Sequence, residues 1–491
     1  MTKKIILSSM LLALALIMIS GCCGGGGSGS KTTTTFKTCN VTGVLSSDIL
    51  TLAGSGNIKI TAPQGEFGSK TETFVSAANS GEFTLSDVRT SLQTIVLEMP
   101  DKSKYTYTLN IPEKSDNLLN MGTIAKSDLT KIITSKWSLL IYMAADNNLS
   151  YSPDASTPDL TEMKAATVNN QDLQILIFLD EMGRDVYIQR VINGKIETLF
   201  NLSRVNSGSA GIAKEFFSLA ADFAPANHYI VDIWNHGSGW DTTYDTAATS
   251  RSIAIDSTSG AAIKIADLPY ALEPLAPIDI LITDACLMGC VEVICELDKS
   301  IKYFIASPDQ TPVAGLQYTN FINKIGANVN DGAEALARKL FTIAEEANST
   351  SLATWKPKTA LYDLSKAYNF ASALNIYIAD NPTKKLTNTY NYYTRSTGSG
   401  VYKFDVPSSN CSMYDLMEFV ETGVGSDNVR TALDALVLEY GNNDKYPLRT
   451  LGAFFPDNNN WSGYSSYGEL VFSKLYAPNW YNFIKTPRGN Y

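Results

Sequence analysis

The sequence predicts an α/β fold in which a mainly parallel sheet, flanked by helices, follows a small all-β sandwich. Two observations lead to this prediction. From about residue 129, apolar runs of strand character alternate with segments of helical spacing, which is typical of a doubly wound, largely parallel sheet. Residues 39–126 instead carry only short alternating runs separated by Gly, Pro, Asn and Asp, which is typical of a small antiparallel sandwich.

Composition narrows the class of protein. With 44% hydrophobic and 18% charged residues, the 491-residue chain has the composition of a globular protein of two or three domains rather than of a disordered one. The formal net charge is -10, and no Lys/Arg run stands out beyond the amino terminus. We therefore expect no nucleic-acid partner.

The first 38 residues predict export and tethering. Residues 1–21 carry Lys3 and Lys4 and then the apolar run IILSSMLLALALIMIS, which is typical of a signal peptide. The run leads to Cys22 in a pattern that resembles a bacterial lipobox, which implies cleavage before Cys22 and acylation of its sulfur; an uncleaved anchor helix is the alternative. Residues 22–38 are rich in Gly, Ser and Thr and predict a flexible tether. We therefore expect a lipoprotein anchored to a membrane of the bacterial cell envelope, periplasmic or surface-exposed.

The sandwich module is predicted from five short strands, which read NIKITA, TFVSA, EFTLSDV, TIVLEM and YTYTLNI. The pattern resembles the transthyretin-like or carboxypeptidase-regulatory-like modules that precede secreted enzymes. No residue in the module looks catalytic, so we expect a spacer or a weak binding module.

The elements of residues 129–491 follow in order. Strands are predicted at WSLLIYMA, at LQILIFLDE, in a hairpin with Asn193-Gly194 at its turn, and at HYIVDIW, SIAID, IDILITDAC and KYFIAS. Helices are predicted after Asp159 and at residues 209–223, 268–272, 287–297 and 332–347. Nearer the carboxyl terminus the pattern favours strands at TALYDLS and LGAFFP and helices at MYDLMEFVE and NVRTALDALVLEY.

Two stretches carry the candidate chemistry, Ile230–Trp240 (IVDIWNHGSGW) and Ile278–Gly289 (IDILITDACLMG). Each is a strand-like run that breaks into a reactive side chain, His236 in the first and Cys286 in the second. Because parallel strands deliver their carboxyl ends to one edge of a sheet, the imidazole and the thiol are expected to form a nucleophilic pair. The alternatives are a buried structural cysteine and a loop histidine. The other histidine, His228, is predicted to lie in the turn before its strand.

These two motifs resemble those of a known peptidase family. WNHGSGW and DACLMG resemble the histidine and cysteine motifs of the clostripain-like cysteine peptidases, relatives in fold of caspases and gingipains. The resemblance implies a caspase-like sheet and a catalytic dyad of His236 and Cys286, and it covers residues 135–325 best. Three further pieces agree with it in order, namely Trp137–Leu149 (WSLLIYMAADNNL), Asp159–Lys164 (DLTEMK) and Ser307–Tyr318 (SPDQTPVAGLQY).

A nucleophilic thiol needs a base or a positive environment, because its ordinary pKa of about 8.5 leaves it mostly protonated at neutral pH. His236 can supply the base, and the helix predicted to begin just after Cys286 would point its positive end at the sulfur. The amides of Gly237 and Cys286 are the candidate donors to the oxyanion. Asn235 could orient the imidazole, although a structural role in the loop is the simpler interpretation.

Asp284 is the candidate specificity residue. It precedes Cys286 by two positions and so shares its face of the strand, where a carboxylate would pair with a substrate Arg or Lys. The resemblance also implies that an acidic residue at this position gives the preference for basic residues. The alternative is that Asp284 only accepts hydrogen bonds from nearby backbone amides. Asp309 is a second candidate, in a loop that departs from the Glu-rich pattern of the family.

The polar stretch DTTYDTAATS ends at Arg251, and the resemblance implies an internal cut between the His and Cys segments. Arg251 is the candidate self-cleavage site, Lys264 competes with it, and the absence of any cut is the third option.

The spacing of Cys286, Cys290 and Cys295 does not favour a metal site. Calcium is implied only by the resemblance, since no D-x-D-x-D-G loop is visible.

The sequence thus favours an exported, lipid-anchored cysteine endopeptidase that cleaves protein or peptide substrates after Arg or Lys. The alternative from another class is a catalytically silent surface lipoprotein that acts as a binding or adhesion module. A serine hydrolase is disfavoured, because no G-x-S-x-G motif lies at a strand-to-helix turn.

Overall fold

The computed structural model describes residues 36–64, 68–113, 117–151, 154–168, 171–240, 253–350, 359–384, 403–404, 411–420, 423–441, 451–456 and 464–486. None of the helices in these ranges combines the length and the apolar character needed to cross a bilayer.

Two sheets form the amino-terminal part. One contains three strands in the order β4-β1-β7, and the other contains five in the order β3-β2-β5-β6-β8. Apolar side chains of both sheets, such as Val41, Leu85, Ile60 and Leu97, meet in a common core. A seven-residue helix that the strand pattern did not predict, α1, follows the first strand. The elements are β1 (Thr38–Leu45), α1 (Ser47–Ala53), β2 (Ile58–Pro63), β3 (Lys70–Val75), β4 (Glu82–Arg89), β5 (Ser91–Glu98), β6 (Lys104–Ile111), β7 (Leu118–Ile124) and β8 (Thr130–Lys131).

The remainder of the chain is built on a nine-stranded sheet in the order β12-β11-β10-β9-β13-β16-β17-β18-β21. The five central strands, β10 to β17, are parallel, and antiparallel strands complete both edges. The strands are β9 (Ser135–Ala145), β10 (Leu173–Glu181), β11 (Tyr187–Ile192), β12 (Lys195–Asn201), β13 (Ala226–Trp234), β16 (Ile278–Asp284), β17 (Ile301–Ala306), β18 (Ala360–Asp363) and β21 (Val437–Tyr440). Smaller sheets contain β14 (Ile253–Asp256) with β15 (Ala261–Ile263), and β19 (Lys403–Phe404) with β20 (Cys411–Asp415) and β22 (Gly452–Pro456).

Helices cover both faces of the large sheet. Successive residues of β9 alternate between two cores, with Leu140 and Tyr142 in one and Leu139 and Ile141 in the other, as expected for a strand buried on both sides. The helices are α2 (Ser156–Ala165), α3 (Ala210–Phe223), α4 (Leu268–Leu272), α5 (Val291–Leu297), α6 (Tyr318–Ala327), α7 (Ala333–Thr350), α8 (Ala367–Asp380), α9 (Leu416–Val420), α10 (Ser426–Leu436), α11 (Tyr464–Tyr467) and α12 (Pro478–Lys485). The predicted α/β class, with a mainly parallel sheet between helices, is confirmed.

Three local predictions are wrong. His228 lies inside β13, stacked on Trp137 with ring centroids 4.6 Å apart, so the strand predicted at HYIVDIW is confirmed and the turn predicted at His228 is wrong. The segment MYDLMEFVE begins as β20, because its first residues pair with β22. The segment NVRTALDALVLEY ends as β21, because its last residues pair with β18 at the edge of the sheet. In both segments, pairing with a distant strand overrides the local helical pattern.

Candidate active site

Strands β13 and β16 bring the two motifs together. They are parallel neighbours, and Trp234 pairs with Asp284 at the end of their ladder. His236 and Cys286 each follow two residues later, so they leave the same edge of the sheet from strands that lie about 4.8 Å apart. Both side chains line one cleft with a volume of about 530 Å³.

The turn after Cys286 differs from the prediction. Helix α5 begins at Val291 rather than at Leu287, and Leu287 has a φ of 63° that an α-helix does not tolerate. The amides of Leu287 and Gly289 donate hydrogen bonds to the carbonyls of Asp309 (3.0 Å) and Ser307 (2.8 Å), which hold this turn against the segment after β17. The expected contact between the sulfur and the first turn of a helix is therefore wrong.

The Cys286 thiol is partly buried and is held by Thr311. The amide of Thr311 donates to Sγ at 3.3 Å, and the Thr311 hydroxyl lies 3.5 Å from it. Burial raises the pKa of Cys286, the contacts with Thr311 oppose this rise, and the nearby carboxylates of Asp309 and Asp284 add to it. Burial therefore favours the neutral thiol over the thiolate in this conformation.

His236 is oriented by Asn148, which follows β9 at the same edge of the sheet. Nε2 of His236 lies 2.8 Å from Oδ1 of Asn148. Because an amide oxygen only accepts, Nε2 is the protonated nitrogen in this pairing, and Nδ1 is the nitrogen that can accept a proton. Asn235, which the sequence offered as the residue that orients the imidazole, has a structural role instead. Its side-chain amide donates to the carbonyls of Ala144 and Ile255.

Gly237 and Cys286, the candidate oxyanion donors, both line the cleft. A Cβ atom at Gly237 would lie 2.3 Å from the carbonyl oxygen of Cys286, so only glycine fits at this approach of the two loops. The close packing fixes the spacing between the histidine loop and the cysteine turn.

Asp284 also lines the cleft, at the front of a group of three carboxylates. Its Oδ2 accepts the amide of Leu316 at 2.9 Å. Behind it, Asp232 accepts the Tyr318 hydroxyl at 2.6 Å, and Asp159 accepts the indole N–H of Trp234 at 2.8 Å.

Burial raises the pKa of each of these three carboxyl groups. The charge of Asp284 further raises the pKa of Asp232 and that of Asp159, which reaches about 9. Among the described residues, none of the three carboxylates forms an ion pair. With a pKa of about 6, Asp284 is the member of this acidic wall that is mainly ionised at neutral pH, whereas Asp159, with a pKa of about 9, keeps its proton.

The remaining predicted residues lie elsewhere. Asp309 is buried, its Oδ1 accepts the amide of Gln310 at 2.9 Å, and it is not among the residues that line the cleft. Arg251 and Cys22 lie outside the described residues. Lys264 is exposed just after β15.

Sequence reasoning did not identify Asn148, Thr311 or Asp232 as parts of the site. A signal existed for Asn148, because it lies three residues after a long buried strand that ends at the same sheet edge. Asp232 also carries a signal, since a carboxylate inside an apolar strand that is buried on both faces requires a polar partner. Thr311 gave none, because its contact depends on how the loop after β17 folds back.

Comparison with known proteins identifies the family. A model described as the clostripain family matches residues 141–487, which is more than half of the chain. The chain belongs to the clostripain family. Clostripain of Hathewaya histolytica is 22% identical over 465 residues, covering 78% of this chain and 86% of clostripain.

Two solved structures share the clostripain-family fold. A secreted C11 cysteine protease from Bacteroides thetaiotaomicron, in complex with an irreversible peptide inhibitor, has a TM-score of 0.56 and 18% identity, covering 70% of this chain and 99% of that one. An inactive zymogen of a C11 protease from Parabacteroides distasonis has a TM-score of 0.51 and 18% identity. The match covers 70% of this chain and 98% of the zymogen. The resemblance read from the sequence is confirmed, and the chain is a cysteine endopeptidase that acts on proteins or peptides.

Proposed function

We propose that this clostripain-family enzyme cleaves after Arg or Lys through a dyad of Cys286 and His236. The observation that carries the proposal is the acidic wall beside the thiol. Asp284 lines the same cleft as Cys286, with the buried carboxyl groups of Asp232 and Asp159 behind it. A substrate guanidinium or ammonium would pair with the ionised carboxylate of Asp284 and lower its pKa.

The proposed chemistry assigns one role to each of these side chains. His236 accepts the thiol proton at Nδ1 while Asn148 holds Nε2, and the Cys286 sulfur then attacks the scissile carbonyl carbon. The amides of Gly237 and Cys286 donate to the resulting oxyanion. The C–N bond breaks as His236 returns the proton to the leaving amine. Water, deprotonated by the same imidazole, hydrolyses the thioester and releases the acid.

The thiol must also lose its proton before it attacks. Burial favours the protonated form, whereas the amide of Thr311, which donates to Sγ, favours the thiolate. Proton transfer to His236 would therefore produce a nucleophile that Thr311 helps to stabilise.

The proposal also covers where the enzyme is located and whether it cleaves itself. The lipobox-like sequence at Cys22 and the Gly/Ser/Thr tether support export and lipid anchoring at the cell envelope. The B. thetaiotaomicron relative is described as secreted, which agrees with a location outside the cytoplasm. Self-cleavage after Arg251 is proposed from the family resemblance. Intact mass of the purified chain tests this step, and a single full-length species from the active enzyme would contradict it.

Specificity is best tested with peptide amides that carry Arg, Lys or citrulline before the scissile bond. Citrulline keeps the size of arginine without its charge. We expect kcat/KM for Arg to exceed that for citrulline at least about 100-fold, and Asp284→Asn to remove most of this preference. Because the pKa of Asp284 lies above the usual carboxyl range, protonation weakens the preference as the pH falls from 8 toward 5.

The ratio of kcat/KM for the Arg and citrulline substrates reports on the pocket alone, since titration of the dyad affects both substrates equally. Asp309→Asn is the matched control, because Asp309 is buried outside the cleft lining. An unchanged ratio in Asp284→Asn, or a ratio that is constant with pH, would reject the pocket assignment. Alkylation of Cys286 by iodoacetamide should persist in Asp284→Asn, which shows that the thiol remains reactive.

A further inference from the structure

Behind Asp284, the acidic wall contains a carboxyl group and a hydroxyl that no step of the proposed reaction uses. Asp232 of β13 and Tyr318 of α6 are both 0% exposed, and neither lines the cleft. The hydroxyl of Tyr318 donates to Oδ2 of Asp232 at 2.6 Å, and the amide of Asp284 donates to Oδ1 of Asp232 at 3.4 Å. One buried carboxyl group therefore joins α6 to the backbone of the candidate specificity residue.

The position of Asp232 is costly unless the side chain serves these contacts. It lies in the buried, apolar half of β13, where a polar group without partners would destabilise the fold. Within the described part of the chain, its hydrogen-bond partners are Tyr318 and the amide of Asp284. Asp232 pairs with Ile282 across the ladder, and Asp284 follows Ile282 by two residues, so the two carboxyl groups project from the same face of the sheet.

The segment that carries Tyr318 also holds the carboxylate of Asp284 from the other side. The amide of Leu316 donates to Oδ2 of Asp284 at 2.9 Å. A Cβ atom at Gly315 would lie 2.5 Å from the same oxygen, and Gly315 has a φ of 55°, so glycine is required at this approach. Asp284 is therefore fixed between this segment and Asp232.

We propose that Asp232 and Tyr318 are positioning residues for substrate selection, which hold the carboxylate of Asp284 at the cleft without touching the substrate. The inference rests on the proposed role of Asp284 in recognising Arg or Lys. Burial raises the pKa of Asp284 to about 6, and the donors of Leu316 and Tyr318 oppose this rise and so favour the carboxylate. Burial and the nearby carboxylates raise the pKa of Tyr318, so its hydroxyl keeps the proton that it donates.

The pH dependence of substrate selection reports on Asp284. The titratable groups around it are Asp232 of β13, Tyr318 of α6, Asp159 of α2 and Cys286 in the turn after β16, and His236 lines the same cleft. Because Cys286 and His236 serve every substrate, their titration cancels in the ratio of kcat/KM for the Arg and citrulline substrates. Asp232 and Asp159 titrate at higher pH, with pKa values of about 8 and about 9. The midpoint of the ratio between pH 5 and pH 7.5 is therefore that of Asp284.

Tyr318→Phe removes the hydroxyl and keeps the ring. We expect the midpoint of the ratio to rise by about 0.5–1 pH unit, because Asp284 loses a donor that favours its ionised form. The ratio should fall about 2- to 5-fold at pH 6 and stay within about twofold of the parent at pH 7.5. The matched control is Tyr142→Phe, which removes another fully buried hydroxyl that donates to the carbonyl of Ser207 at 2.8 Å and should leave the midpoint unchanged.

Two variants of Asp232 test the other half of the pair. Asp232→Ala removes the acceptor for both Tyr318 and the amide of Asp284, and it should lower the ratio at least about 5-fold at pH 7. Asp232→Asn retains an acceptor for the amide and is neutral, as Asp232 mainly is at pH 7, so it should keep the ratio within about twofold of the parent. Alkylation of Cys286 and the Tm check that each variant is folded, and Tyr318→Phe carries the test if Asp232→Ala is not.

A purely structural role would lower the Tm of Tyr318→Phe without a shift in its midpoint, and this result would overturn the inference. A folded Asp232→Ala with the ratio of the parent, or an Asp232→Asn as defective as Asp232→Ala, would also overturn it. Failure of the proposed function looks different, since the parent would then not prefer Arg over citrulline, or Asp284→Asn would retain the preference.

Discussion

Each member of the Cys286–His236 pair is held by a different residue outside the pair. Thr311 contacts the sulfur, and Asn148 contacts the imidazole, so the two reactive groups are positioned before substrate arrives. Burial raises the pKa of the thiol and so favours its neutral form, whereas the donors of Thr311 oppose this effect. The imidazole is therefore the group on which thiol activation depends, and its orientation is set by Asn148.

Replacement of Asn148 tests this orientation. We expect Asn148→Ala to lower kcat by roughly 10- to 100-fold with little change in KM, because the imidazole loses its fixed tautomer while the acidic wall is intact. Steady-state kinetics on an Arg peptide amide measure the effect. Asn330→Ala, which removes a surface asparagine that contacts Lys136, should leave kcat unchanged. A normal kcat in Asn148→Ala would show that the contact is incidental.

At the scale of elements, the sequence predicted well where the pattern is long and uniformly apolar. Strands β9, β10, β13 and β16 were all recognised, because buried parallel strands read as continuous apolar runs. The start of α5 was misplaced, because the positive φ of Leu287 results from hydrogen bonds to a segment about 20 residues away. The candidate dyad could be read from strand ends, whereas Asn148 and Thr311 required the fold.

Helix α5 is joined to β22 by a buried carboxyl group. Glu292 accepts the amide of Phe454 at 2.9 Å and the hydroxyl of Tyr467 at 2.6 Å. Burial raises its pKa from 4.5 to about 7 despite these donors. The folded state therefore keeps a proton that the unfolded chain has lost above pH 4.5, so stability decreases as the pH rises toward 7 and stays lower beyond it.

Glu292→Gln should reduce this pH dependence. The neutral glutamine side chain retains an acceptor for Phe454 and Tyr467 but cannot ionise. It therefore avoids the loss in free energy of unfolding that Glu292 causes at high pH, which is at most about 3 kcal/mol. We expect the drop in Tm between pH 5 and pH 8 to be smaller in the variant than in the parent. Glu469→Gln, at an exposed carboxylate, is the control that should change nothing. Equal drops in all three proteins would contradict the role of Glu292.

At the scale of the whole molecule, side-chain hydrogen bonds connect the sandwich to the peptidase sheet. The hydroxyl of Thr94 on β5 donates to the carbonyl of Leu199 on β12 at 2.7 Å, and the side chain of Gln93 donates to the carbonyl of Asn201 at 3.3 Å. Ion pairs of Asp222 on α3 with Lys70 and Lys104 extend the contact. The sequence predicted a separate module, but its packing against β12 depends on tertiary contacts that no local pattern records.

Thr94→Val tests whether this contact stabilises the enzyme. Valine keeps the shape of threonine but leaves the carbonyl of Leu199 without this donor, which should lower the free energy of unfolding by about 1–3 kcal/mol. Urea unfolding measures the change. Thr84→Val, at an exposed position of β4, should have little effect. Equal stability of both variants and the parent would mean that the module contributes little to the fold.

The most direct test of the whole account is hydrolysis of an Arg peptide amide by the parent enzyme, by Cys286→Ala and by Cys295→Ala. Cys295 is a buried thiol of α5 in the core, and its removal should leave turnover nearly unchanged. Removal of the nucleophile should lower kcat/KM at least about 1000-fold. If Cys286→Ala retains turnover within about tenfold of the parent, Cys286 is not the nucleophile and the proposed mechanism is wrong.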